Sequence, residues 1–175
     1  MLMKRLKRFI GIKVEGKLKS METIEDKLTM AEVELKDTRK KLVTKIVDIN
    51  EKKHMYKRKV DEVENMKTPN QKKLLDGYEE IVEKLDNSVD ILSQEKLKLD
   101  EKIESFSMKK AEIRAEYDLL NSKKEVQQLN IEGVSNEEED LYSSLIDEID
   151  EMLNGYQDEL NSTNELLEKG VLKNK

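Results

Sequence analysis

METIEDKLTMAEVELKDTRKKLVTKIVDINEKKHMYKRKVDEV, residues 21–63, decides the fold. Every seventh residue of this stretch is apolar: Met21, Leu28, Leu35, Leu42, Ile49, Tyr56 and Val63. An α-helix turns once in about 3.6 residues, so a seven-residue apolar repeat keeps one narrow stripe against a partner only when two helices supercoil left-handedly. The repeat returns as Tyr78, Leu85, Leu92, Leu99, Phe106, Ile113 and Leu120. Two arms of equal length predict an all-α fold built on a long antiparallel helical coiled-coil hairpin, residues 21–132, with its tip near 67–70. Matched ends would set Val63 near Tyr78, Ile49 near Leu92, Leu35 near Phe106 and Met21 near Leu120, with residue numbers summing to 141 and slippage by several residues left open.

Between the arms, Thr68-Pro69-Asn70-Gln71 reads as a T-x-x-Q capping box with proline at the first helical position. The first helix is therefore expected to stop near Met66 or Lys67 and the second to begin at Pro69. One proline can also kink a continuous rod, which stands as the alternative to the hairpin. The second row of each stripe is poorer than the first: Ile24, Ala31, Thr38, Lys45, Lys52 and Lys59 on one arm, Val82, Val89, Lys96, Ile103, Lys110 and Tyr117 on the other. Lysine stems can lie over apolar surface while their ammonium groups stay wet, but several in succession thin the core. An isolated hairpin is thus expected to be marginal. Val43, Val47, Ile81 and Ile91 lie off the main seam as candidates for lateral contact between copies.

Composition agrees with long helices. Charged residues make up 41% of the chain and aromatics 4%, with one Pro, six Gly and no Trp, too little bulky apolar material for an ordinary globular core. Charge is also polarised. Residues 1–73 hold 21 Lys/Arg against 12 Asp/Glu, net +9, and residues 74–175 hold 12 against 27, net −15, which together give the chain's −6. A basic front and an acidic rear attract each other within one chain or between copies, so self-assembly into a homo-oligomer or polymer is expected.

The first twenty residues, MLMKRLKRFIGIKVEGKLKS, carry seven Lys/Arg and one Glu. On a helical wheel Leu2, Met3, Leu6, Phe9, Ile10 and Val14 gather on one side, and Lys4, Arg5, Lys7 and Arg8 on the other. That is the pattern of an interfacial helix whose apolar face enters the acyl boundary and whose cations meet anionic headgroups. Residues 1–20 are read as a membrane-binding amphipathic helix, with packing on the rest of the chain or contact with nucleic acid as the alternatives. The segment is too short and too charged to span a bilayer, and it lacks the apolar core of a secretory signal. The expected location is cytoplasmic, peripheral on the inner face of the membrane.

Residues 133–175 are read as an acidic C-terminal helical segment. Gly133 is expected to break the second helix, Ser135-Asn136-Glu137-Glu138 matches a capping box, and Leu141, Leu145, Ile149, Leu153 and Leu160 form a helical stripe that Ile146 and Met152 widen. With 12 acids and three lysines in residues 134–175, the segment is suited to docking on a basic surface of its own molecule or a neighbour. Gly170 is expected to mark its end.

Chemistry is sparse. His54 is the only histidine and stands among Lys52, Lys53, Lys57 and Arg58, so it has no evident metal partners and reads as a solvated helix residue. The absence of cysteine removes disulfides, thiolate metal sites and thiol nucleophiles. Gly11, Gly16 and Lys17 have the spacing of a phosphate-binding loop, but Leu18 occupies the position of the Mg²⁺-holding hydroxyl. No enzyme, cofactor, metal or small-molecule substrate is expected. Arg39-Lys40-Lys41 and Tyr56-Lys57-Arg58-Lys59 read more simply as solvated helix faces than as phosphate contacts, and no nucleic acid partner is expected.

The order of these parts resembles the bacterial phage-shock-protein A and plastid vesicle-inducing protein family, of the ESCRT-III superfamily. The local likeness lies in Leu97–Asn130, where Lys109-Lys110 precedes an Ala/Arg-rich run, and in Ala31–Val47. The resemblance implies copies that assemble through staggered hairpins and a first helix that inserts into anionic bilayers to bend or protect them. It points to a membrane-remodelling scaffold. A soluble coiled-coil spacer, assembly scaffold or adaptor is the alternative.

The heptad assignment makes a direct prediction. Leu42→Asp and Leu99→Asp each place a charge in an apolar layer, at a cost of about 3 kcal/mol or more. Thermal unfolding followed by circular dichroism is expected to show a steep drop in midpoint or in helicity for both variants. Unchanged unfolding would remove the assignment.

Overall fold

The seven-residue repeats lie within helices. The structure, a computed structural model, describes residues 2–129 and 139–169, with side chains for residues 16–129 and 144–168. Among the described residues there are three α-helices and no strand: α1 (Leu2–Glu64), α2 (Gln71–Gln128) and α3 (Glu139–Lys169). α1 runs unbroken through Gly16 and past residue 20, because a single glycine costs about 1 kcal/mol of helix propensity and does not end a helix whose apolar stripe continues on both sides. The expected break at Gly133 and the box at Ser135–Glu138 lie outside the described residues, as do the side chain of Leu141 and residue Gly170.

The chain forms two compact units, Met1–Glu34 with Lys102–Gln157 and Leu35–Glu101 with Asp158–Lys175. In the first, the buried apolar residues are Leu18, Met21, Ile24, Leu28 and Ala31 on α1, Phe106 and Ile113 on α2, and Leu145 and Ile149 on α3. Polar contacts flank this seam. Tyr117 donates its hydroxyl to Glu22 Oε1 at 3.0 Å, Arg114 meets Glu25 at 3.6 Å, and Lys110 meets Glu32 at 3.7 Å. As residue numbers rise on α1, those of the partners fall on α2.

In the second unit the buried apolar residues are Leu35, Leu42 and Val63 on α1, Leu85, Leu92 and Leu99 on α2, and Leu160 on α3. Arg39 pairs with Asp100, Lys53 donates to Asp86 at 2.8 Å, and the Tyr56 and Tyr78 rings lie 6.1 Å apart, again with falling partner numbers. The bond from Lys53 holds the Asp86 carboxyl below its ordinary pKa. The pair's contribution is therefore present above the unfolded carboxyl pKa and fades as pH falls through the lower folded value. In each unit two of these flanking pairs have numbers summing to 139, close to the 141 of matched ends.

Two expectations are corrected. α1 ends at Glu64 and α2 begins at Gln71, so the break is wider than the capping box implied. Gln71 does not complete that box. Its side-chain amide donates instead to the carbonyls of Val63 at 3.0 Å and Glu64 at 2.8 Å in the last turn of α1, where the Val63 carbonyl also accepts the Met66 N–H at 3.0 Å. The backbone N–H of Gln71 bonds the Thr68 carbonyl at 3.2 Å, closing a turn around Pro69, and Asn70 accepts the first bond of α2 from Leu74 at 3.1 Å. The second correction concerns the minor row of α2. Val89 and Lys96 are only half-buried, whereas Ser88 and Glu95, one position earlier, are buried. At Glu95 the reason is a hydroxyl of α3, described below.

Burial along this seam is uneven, with Val63 buried next to the turn. Ile49 and Tyr56 are half-buried, as is Tyr78, while Leu42 and Leu92 are fully enclosed. Two helices shield one stripe incompletely, and a third completes the enclosure.

The Gln71 contact yields the prediction for this region. Gln71→Ala removes two hydrogen bonds to the end of α1 and is expected to lower stability by about 1–2 kcal/mol. Gln71→Glu is expected to lose more, since a carboxylate would face carbonyl oxygens at the negative end of the α1 dipole. Urea midpoints of the two variants measure this, and a glutamate variant as stable as wild type would exclude the contact.

Candidate functional site

The ten residues singled out for membrane contact, Leu2, Met3, Lys4, Arg5, Leu6, Lys7, Arg8, Phe9, Ile10 and Val14, belong to the first turns of α1. Their side chains lie outside the described residues. Of the seam residues, Leu28, Leu35, Leu42, Leu85, Leu92, Leu99, Phe106 and Ile113 are buried, and Ile49 and Tyr56 are half-buried. The apolar residues set aside for lateral contact also sort clearly: Val47, Ile81 and Ile91 are exposed, and Val43 is half-buried.

The surface that receives α3 is built differently in the two units. In the first, Lys109 of α2 donates to Glu148 of α3 and, at 3.1 Å, to Glu112 on its own helix. The Glu148 bond, followed by burial acting the other way and by Glu112, leaves the Lys109 ammonium above its ordinary pKa. The lysine therefore stays charged through the neutral range, and its contribution is lost only as pH rises through that raised value. Next to it, Phe106 meets Tyr156 edge-on, with ring centroids 5.9 Å apart and an interplanar angle of 88°. Burial, and then the neighbouring Glu34, pushes the Tyr156 hydroxyl up. An open groove of about 310 Å³ runs beside the pair, lined by Lys102, Lys109, Glu148, Glu151, Met152 and Gly155. Its charges balance, which suits helix packing more than recognition of a charged ligand.

In the second unit the dock is a buried polar contact. Thr163 of α3, fully enclosed, donates its one hydroxyl proton to Glu95 Oε1 of α2 at 2.7 Å, with the Glu159 carbonyl at 3.0 Å as the competing acceptor. Glu95 is itself only 8% exposed, and Lys98 stands 3.8 Å from its other oxygen. A glutamate in such a place costs desolvation unless it is hydrogen-bonded. Thr163 supplies that bond, so the pair fixes where α3 sits along α2 within this unit.

Reading the sequence for apolar stripes passed over Ser88, Glu95, Tyr156 and Thr163. The signal available was spacing. Ile149, Tyr156 and Thr163 are seven residues apart, as are Ser88 and Glu95, so each extends a heptad row in which a polar residue replaces an apolar one.

Among the described residues no group of three or more His, Asp or Glu is arranged to hold a metal ion, and His54 is exposed. Among the described residues no helix is long and apolar enough to cross a membrane. Comparison of the chain with models of protein families, with curated proteins and with solved structures finds no match.

The α3 dock generates a prediction. Thr163→Val preserves volume but leaves the Glu95 carboxylate without its hydroxyl partner, at a cost of about 1–3 kcal/mol. Glu95→Leu with Thr163→Val removes both polar groups and is expected to recover most of that loss. Hydrogen exchange of residues 158–169 reports the change, and equal protection in the single and double variants would mean that the two side chains act independently.

Proposed function

We propose that this chain is a self-assembling, membrane-binding and membrane-remodelling scaffold of the phage-shock-protein A and ESCRT-III kind. In this reading α1 and α2 form one antiparallel coiled-coil hairpin. The falling order of partner numbers within each unit supports that arrangement. Its partners are further copies of itself and anionic lipids, its place is peripheral on the cytoplasmic face of the membrane, and it performs no enzymatic step.

One observation carries the reading. Residues 2–20, with seven Lys/Arg against one Glu and, on a helical wheel, a separate apolar side, belong to the same helix as the seam that starts at Met21. A basic amphipathic segment continuous with a rigid coiled-coil arm couples lipid insertion to the position of that arm. Each cation near an anionic surface contributes about 1 kcal/mol, and the apolar face adds insertion in proportion to its area.

The second reading, a soluble coiled-coil structural or adaptor protein, has its own support. α3 buries Leu145 and Ile149 in one unit and Leu160 and Thr163 in the other, as a helix that closes a bundle does.

Liposome co-sedimentation with electron microscopy separates the two. The full chain is expected to bind vesicles rich in phosphatidylserine far better than neutral phosphatidylcholine vesicles, and to deform them. Leu6→Glu with Phe9→Glu is expected to abolish deformation while weak adsorption survives. Changing Lys4, Arg5, Lys7 and Arg8 together to Gln is expected to abolish the preference for anionic lipid. If the apolar-face variant binds and deforms vesicles like wild type, the membrane reading falls and the soluble scaffold replaces it.

A further inference from the structure

Leu74, Ile81, Ser88 and Glu95 stand at heptad spacing along α2, and their burial runs against their chemistry. The polar pair is buried, with Glu95 bonded to Thr163, while Leu74 is 42% exposed and Ile81 36%. These two apolar residues, with Asn70, Lys73, Gly77 and Tyr78, line an open groove of about 480 Å³. Gly77 is one of the lining residues, and a Cβ built there would meet nothing within 4 Å. Glycine inside a helix is unfavourable relative to alanine, and nothing in the protomer requires it at this position. Gly155 has the same open space, but of the residues three and four away from it, Glu151, Met152, Asp158 and Glu159, only Met152 is apolar, so it has no apolar residue on both sides.

We propose that this groove is a two-fold contact with a second copy of this chain, in which the two α2 helices cross at Gly77; the proposal rests on the self-assembly reading above and names its surface. A two-fold contact must be self-complementary, each residue meeting its counterpart reciprocally. Here the two exposed apolar residues stand on either side of the one residue without a side chain. An axis passing beside Gly77 turns Leu74 of each copy toward Ile81 of the other, and the absent Cβ lets the backbones approach. Charge fits the same symmetry. Lys73 of one copy falls beside Glu80 of the other, so unlike charges meet. Glu80 is paired at 3.0 Å with Lys84 in an exposed contact on its own helix, a weak bond that exchanges readily. An anionic lipid surface fits less well, because Glu79, Glu80 and Glu83 lie on these same turns of α2.

The chain contains no cysteine, so Gly77→Cys places a unique thiol at the crossing point. Mild oxidation of this full-length variant is expected to give a disulfide-linked dimer, much faster than for Gln94→Cys, an exposed control on the same helix. Adding Leu74→Gln and Ile81→Gln is expected to lower the yield at least about tenfold. Gly77→Gln is expected to weaken association in sedimentation equilibrium while its thermal midpoint stays equal to wild type or rises, because glutamine is the better helix former. If Gly77→Cys couples no faster than Gln94→Cys while light scattering still shows assembly, this surface is wrong and the self-assembly reading stands. A monomer at every concentration would remove both. Protection of the Gly77→Cys thiol from maleimide by phosphatidylserine vesicles, without dimer formation, would overturn the proposal in favour of a lipid contact.

Discussion

A single narrow apolar stripe governs this protein. With 41% of its residues charged, the chain can place leucine, isoleucine or a comparable side chain at one position in seven with regularity, and the neighbouring row fills with threonine and lysine. Thr38 is buried in that row, Lys45 and Lys59 are half-buried and Lys52 is exposed. A stripe so thin cannot be enclosed by two helices alone. Each unit therefore draws on a third: Leu145 and Ile149 in one, Leu160 and Thr163 in the other, all from α3.

What α3 brings is as much polar as apolar. Buried hydrogen-bonded pairs add little net stability, because desolvation of the charge consumes most of the attraction. They are sensitive to position, however, since a shift of one turn leaves both groups unsatisfied. Glu95 with Thr163 is such a pair, and the partly shielded Lys109 with Glu148 acts similarly from the edge of the other unit. The exposed ion pairs along α1 and α2, each worth well under about 1 kcal/mol, bias the register in the same way.

Several apolar residues that the seam does not use stay exposed. Val47, Ile81 and Ile91 are exposed off the main stripe, and Leu74 joins Ile81 beside Gly77. The exposed methionines, Met30, Met55, Met66 and Met108, belong to the same group, with side chains flexible enough to fit more than one neighbour.

The sequence by itself determined the helical class and marked the apolar stripes, because a repeat of seven is a geometric consequence of helix pitch and needs no partner to be read. It also marked the basic amphipathic start and the acidic rear, since charge is written in composition. The tertiary structure alone decided the rest. Gln71 left its expected box for the carbonyls of Val63 and Glu64, because the turn closed between Thr68 and Gln71 brings its amide within reach of the end of α1. Ser88 and Glu95, not Val89 and Lys96, became the second buried row of α2, and at Glu95 the arrival of α3 with its Thr163 hydroxyl sets that burial. Apolar periodicity records which face of a helix avoids water. It does not record where a third helix makes a polar residue the better neighbour.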